Sequence, residues 1–293
     1  MSSIERALAK KKDSKPNDKK QSEEVKNSAD SAAEQQPSSQ NVDATYTENK
    51  VLHIDKASLN DKGYLIDTGS RKSIKDEFRQ IKRKLLNNAF GSASKMLNHP
   101  NLIMISSAKP NEGKTFVSIN LALSIALEQD KTVLLVDADV LRPSVNRELG
   151  VEQSEGLIEY LLEDDKPLSD VMFNTNIDKL KIIPAGHPHH LSNELLASEK
   201  MAVLANELAN RYPDRVVIFD CPPLVGVTET LVLANLMGQA LVVVEESKTS
   251  IASIKEATES LNEELAVGIV LNKAIRSHKD LYGYYGYGYG EAE

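Results

Sequence analysis

Six short apolar runs, Leu102 to Ser106, Val133 to Asp137, Leu180 to Pro184, Val216 to Asp220, Ala240 to Val244 and Val267 to Leu271, alternate with stretches of helical pattern. Each run is continuous in its hydrophobicity, the mark of a strand buried on both faces. Helices between such strands dictate parallel pairing, because a parallel connection must cross over one face of the sheet. The spacing therefore predicts an α/β fold, a doubly wound parallel sheet occupying about 200 residues, as one domain. Ahead of the first run, Ile74, Phe78, Ile81 and Leu85 mark one face of a helix that carries Arg71, Lys72, Lys75, Arg79, Lys82, Arg83 and Lys84 elsewhere. A solvated basic face and a contact surface both fit that pattern.

The rest of the chain reads differently. From Lys10 to about Lys50 there is almost nothing apolar longer than Val, too little to offset the entropy of ordering the chain. The divisions expected are a short amphipathic helix or frayed end over residues 1–12, a disordered or weakly ordered linker over 13–69, the folded domain over 70–278 and a flexible segment over 279–293. Residues 1–50 are electrically balanced, so the net charge of −8 belongs to the remainder, and a bulk nucleic-acid binder is disfavoured. A single Cys leaves no disulfide framework and no cysteine zinc cluster, which suits a reducing cytosol. No stretch approaches the roughly 18 apolar residues of a membrane helix, and no signal-peptide core is visible, so membrane attachment is expected through a partner.

The first run leads into Ala108-Lys109-Pro110-Asn111-Glu112-Gly113-Lys114-Thr115 and then a helical pattern, the strand, loop and helix context of a phosphate-binding P-loop. Backbone N–H groups and the positive end of the helix would surround phosphate oxygens, Lys114 would reach the outer phosphates and the Thr115 hydroxyl would ligand Mg²⁺. The second run ends in Asp137-Ala138-Asp139 and the fourth in Asp220-Cys221-Pro222-Pro223. Carboxylates at the C-terminal ends of buried strands share the ligand-binding edge of an α/β sheet. One such Asp could cap a helix; three beside a P-loop point to Mg²⁺ and proton handling. Five of the nine tyrosines, Tyr282, Tyr284, Tyr285, Tyr287 and Tyr289, crowd a glycine-rich stretch, and read either as phosphate acceptors or as an adhesive low-complexity segment.

The P-loop, the Asp-x-Asp-x-x-Arg-Pro sequence at Asp137 to Pro143, the apolar strand ending Asp-x-Pro-Pro and the tyrosine cluster together resemble the bacterial tyrosine kinases of capsule and exopolysaccharide assembly. Ser3 to Ala7 further resembles the start of stand-alone autokinases of exosortase-type systems. The resemblance implies a P-loop NTPase fold of the deviant Walker (ParA/MinD-like) type and the use of ATP and Mg²⁺. It implies catalytic roles for Lys114, Asp137, Asp139 and Asp220, with Asp137 as base toward tyrosine and Thr115, Asp139 and Asp220 at the metal. ATP would be bound by Ala108, Lys109, Pro110, Asn111, Glu112, Gly113, Lys114, Thr115 and Phe116, with Asn272 either at the base or serving as a strand-end turn residue.

Asp76, Arg79 and Lys82 fall where the family has a subunit-joining Glu-x-x-Arg-x-x-Arg helix; the Asp and Lys preserve charge but lose one bidentate guanidinium. Asn111 replaces a usual Gly, which suggests a left-handed residue there, and Cys221 replaces Ser or Thr without an expected role. Expected partners are further copies of the chain, a membrane-spanning polysaccharide chain-length regulator and a protein-tyrosine phosphatase, with no nucleic acid. The expected location is cytoplasmic, at the inner membrane through that regulator. Lys109 keeps a second class in view, since partitioning ATPases carry a signature lysine at this position; here Pro-Asn-Glu follows it in place of a Gly-Gly run.

Overall fold

The computed structural model describes residues 50–66 and 72–275. The expected first helix, most of the linker and all five clustered tyrosines lie outside the described residues. Eight strands, β1 (Val51–Leu52), β2 (Leu102–Ser107), β3 (Thr132–Asp137), β4 (Phe173–Thr175), β5 (Leu180–Ile183), β6 (Arg215–Asp220), β7 (Gln239–Glu245) and β8 (Ala266–Asn272), form one sheet. Their order is β1-β4-β5-β3-β6-β2-β7-β8. Every neighbouring pair is parallel except β4 with β5. All six predicted runs are strands, and buried apolar clusters cover both faces of the sheet.

Strand order positions the chemistry. The chain leaves β2 through the P-loop and helix Lys114–Ala126, crosses β6 and enters the sheet again as β3. β2 therefore has β6 and β3 on one side and β7 on the other, a topological switch point whose crevice opens at the C-terminal strand ends. Register pairs Asp137 with Asp220, and Asp220 with Ile105, so both acidic strand ends lie beside the P-loop. Helix Lys114–Ala126 is buried on nearly every side, which explains why its apolar residues show no clean amphipathic stripe.

Three expectations change. Residues 50–66, within the linker expected over 13–69, are built into the fold: β1 pairs with β4, and helix Lys56–Asp61 buries Leu59 behind an Asp55 cap. The low-apolar stretch ends near Lys50, and beyond it Ile54, Leu59, Tyr64 and Leu65 are all buried. The run at β8 is not buried on both faces, because β8 is an edge strand and leaves Val267, Ile269 and Leu271 exposed. β4, only three residues long, is too short for any periodicity to reveal.

The third correction concerns Lys82. Phe78 and Leu85 of helix Lys72–Phe90 enter the core as predicted. Lys82 goes inward with them, donating to the Ser124 carbonyl at 2.9 Å and pairing with Glu128 at 2.5 Å. Its ammonium holds this helix to the end of the P-loop helix. Asp76 and Arg79 pair with each other at 2.5 Å on the exposed side. Lys82→Met should cost about 1–3 kcal/mol of stability, seen as a lower urea midpoint. Subunit association, measured by light scattering, should be unchanged.

Candidate active site

The P-loop has the conformation its sequence demands. Gly113 ends the loop with φ +97° and Asn111 takes φ +68°, the left-handed region that Asn tolerates. Glu112 turns its carboxylate away from the loop's concave side, accepting from the Lys109 backbone N–H at 2.8 Å and from the Thr249 hydroxyl. Asn272 donates through Nδ2 to the Glu112 carbonyl at 2.8 Å, and Lys273 donates to the Asn111 carbonyl at 2.7 Å. Lys273 is itself held by Glu245 at 2.9 Å. The ends of β7 and β8 thus clamp the loop, and Asn272 supports its backbone.

At the helix start, Lys114 lies 2.5 Å from Asp139 and 4.0 Å from Asp220. The Thr115 hydroxyl donates to Asp220 at 2.7 Å and lies 2.7 Å from the Ser144 hydroxyl. Ser118 donates to the other Asp220 oxygen at 3.0 Å. Burial works to lower the Lys114 pKa, but Asp220 and Asp139 override it and hold the ammonium above its ordinary value. Asp220 is raised by burial, against the pull of Lys114, Thr115 and Ser118.

Asp137 is pushed up to about 8 by burial and by Asp220. Its oxygens accept from the backbone N–H groups of Asp139, Ser144 and Val145. Asp137 therefore orders the loop that carries Asp139. Burial likewise drives the Cys221 thiol well above its usual range, in keeping with an inert small side chain.

A cavity of about 610 Å³ opens over these groups. Of the residues expected around the nucleotide, Pro110, Asn111, Gly113, Lys114, Thr115, Phe116 and Asp139 line it, and Ala108, Lys109, Glu112, Asp137, Asp220 and Asn272 do not. Sequence reasoning missed Lys62, Tyr64, Ser144 and Glu148, whose contributions depend on contacts far along the chain. The buried end fits Mg²⁺: three carboxylates meet one ammonium, leaving excess negative charge among hard oxygen donors, and a divalent ion of this kind is held by few carboxylates together with phosphate. Thr115, Asp139 and Asp220 would hold it. The bound ion would offset charge on phosphate oxygens.

Fold and site together define a P-loop nucleotide-binding domain, and the AAA-domain family model matches residues 100–275. Tyrosine-protein kinase YwqD of Bacillus subtilis (strain 168) is 32% identical over 214 residues, spanning 72% of this chain and 86% of that protein. The chain belongs to the bacterial tyrosine kinase family. Succinoglycan biosynthesis transport protein ExoP of Rhizobium meliloti (strain 1021) is 32% identical over 208 residues, 69% of this chain and 25% of that protein. The kinase domain of Escherichia coli tyrosine kinase ETK shares the fold, with a TM-score of 0.62 at 24% identity over 84% of this chain and 94% of that chain. Among the described residues no helix is long and apolar enough to cross a membrane.

Proposed function

We propose that the chain transfers the γ-phosphoryl group of ATP, with Mg²⁺, to tyrosines of its own segment Tyr282 to Tyr289, acting in trans between subunits. The observation that carries this reading is the buried constellation of Lys114, Thr115, Asp139 and Asp220 at the mouth of a P-loop. Phosphoryl transfer asks the protein chiefly for positioning and charge stabilisation, which this set supplies. The acceptor distinguishes a kinase from a hydrolase, and five phenols on a glycine-rich chain provide one. Asp137, at the end of β3 beside Asp220, is the proposed base toward the phenol, and Asp139 stays with Thr115 and Asp220 at the metal. The biological setting proposed is exopolysaccharide assembly, which the name of the relative ExoP supports. A membrane-spanning chain-length regulator would act as partner and a tyrosine phosphatase would reverse the modification.

Each phosphate adds about −1.5 to −2 charge, so multiply phosphorylated segments would repel one another and loosen an oligomer. Asp76 and Arg79 remain the proposed subunit contact. Mixing Lys114→Met chains with chains lacking residues 279–293 tests the trans step. Phosphotyrosine should appear on the Lys114→Met chains, detected by mass spectrometry. If those chains stay unmodified although the two associate, transfer in trans is wrong. Release of free phosphate alone from the intact chain would favour the switch-ATPase reading that Lys109 suggests.

A further inference from the structure

The family match begins at residue 100, yet the cavity is not closed by residues 100–275 alone. Lys62 and Tyr64 form part of its wall, and both come from the segment expected to be a linker. That segment is anchored at its far end: β1 pairs with β4, and Asn176 exchanges hydrogen bonds with the Ile54 backbone at 2.9 and 3.0 Å. Helix Lys56–Asp61 then ends at Gly63, whose φ of +90° turns the chain back toward the P-loop helix.

Around this turn the chain touches both sides of the active site. Toward the P-loop helix, the Tyr64 ring lies 5.1 Å from the Phe116 ring. The Leu65 N–H donates to Asn120 Oδ1 at 2.8 Å, and Asn120 in turn donates to the Phe116 carbonyl at 2.9 Å. Toward the other wall, the Tyr64 hydroxyl donates to Glu148 Oε2 at 3.2 Å and Lys62 donates to the Glu148 carbonyl at 2.8 Å. Glu148 lies in the short helix Val145–Leu149, and Lys62 supplies a cation to the Glu148 carbonyl at that helix's C-terminal end. The opposite end of the same helix is held by Asp137, through the Ser144 and Val145 N–H groups.

We infer that Lys62 and Tyr64 are positioning residues for phosphoryl transfer: they strap helix Val145–Leu149 to the P-loop helix and so fix Asp139 and Ser144 against Lys114 and Thr115. The inference rests on the phosphoryl-transfer reading of the cavity. Neither side chain touches the reacting atoms. Their effect passes through Glu148 and Phe116, which border the loop carrying Asp139 on one side and the P-loop residue Thr115 on the other. The polar contacts between the loop 138–144 and the P-loop are those of Lys114 with Asp139 and Thr115 with Ser144, the groups that an incoming phosphate and cation would recruit.

The test measures loss of γ-phosphate from ATP·Mg²⁺, whether to tyrosine or to water, together with the affinity for a fluorescent ADP analogue and the urea midpoint. In the full chain, Tyr64→Phe and Lys62→Met should each lower kcat about tenfold, the size expected for one lost charge-assisted contact. Tyr64→Ala, which also removes the ring contact, should lower it about 10²-fold. Nucleotide affinity should hold in Tyr64→Phe, which keeps the ring in the wall, Lys62→Arg should restore the rate, and Tyr64→Phe should add nothing to a Glu148→Gln background. Unchanged kcat in the variants, or a loss that simply tracks the unfolded fraction, would overturn the strap. Should the wild-type chain lose γ-phosphate only to water, the kinase reading fails while the strap is still decided by the same rates.

Discussion

Lys114→Met is expected to remove phosphoryl transfer, with a loss of at least about 10²–10³-fold in kcat, the scale seen when one donor to developing charge is deleted. Among the described residues Lys114 is the one ammonium beside Asp137, Asp139 and Asp220, so its removal also leaves those carboxylates facing one another in a buried site. The effect on stability has a definite sign. The Lys114 pKa is raised in the fold, so its contribution is complete below the ordinary lysine value and is lost only at strongly alkaline pH. Across the neutral range the substitution therefore removes all of it.

The carboxylates behave oppositely. Asp137 and Asp220 are raised, so their ionised forms oppose folding as pH climbs above the ordinary Asp value, and without Lys114 the opposition grows. Urea titrations should show a larger gap between wild type and Lys114→Met at pH 8 than at pH 5. An equal gap at both would mean that Lys114 acts only by packing.

Gly113→Ala should disable the loop by a different route. At φ +97° an Ala is strained by about 1–2 kcal/mol. Its Cβ would also lie 2.1 Å from Nδ2 of Asn272, the group that braces the Glu112 carbonyl. Space and torsion fail together, and the Asn272 brace must move. Nucleotide affinity should fall about 10²-fold, the cost of misplacing a binding loop by an ångström, measured by titration with a fluorescent ADP analogue. Adding Asn272→Ala should recover only the part due to the clash. Full recovery would show that the left-handed conformation contributes nothing.

These two residues were legible because their chemistry is local. Gly113 and Lys114 belong to one loop, and Asp137, Asp139 and Asp220 come at the ends of apolar runs whose continuity identifies buried strands. Asn111 was legible in the same way, since its left-handed turn is a property of a single residue. The helix at Phe78 and Leu85 could be read from spacing, but that spacing did not say whether Lys82 faced water or Ser124. Asn272 could be assigned to a strand end, yet its partner, the Glu112 carbonyl, lies 160 residues away.

The sequence by itself determined the parallel sheet, the P-loop and the set of carboxylates at its edge, because hydrophobic continuity and loop spacing act through neighbouring residues. Only the tertiary structure decided which of them face the cavity, that Lys82 turns inward, and that Lys62 and Tyr64 close the wall. Those outcomes hang on strand order. Contacts such as Lys62 with Glu148, 86 residues apart, exist only after β1 has joined the sheet edge and Gly63 has turned the chain back. No local pattern of hydrophobicity records such a meeting, because its cause is the geometry of the assembled sheet.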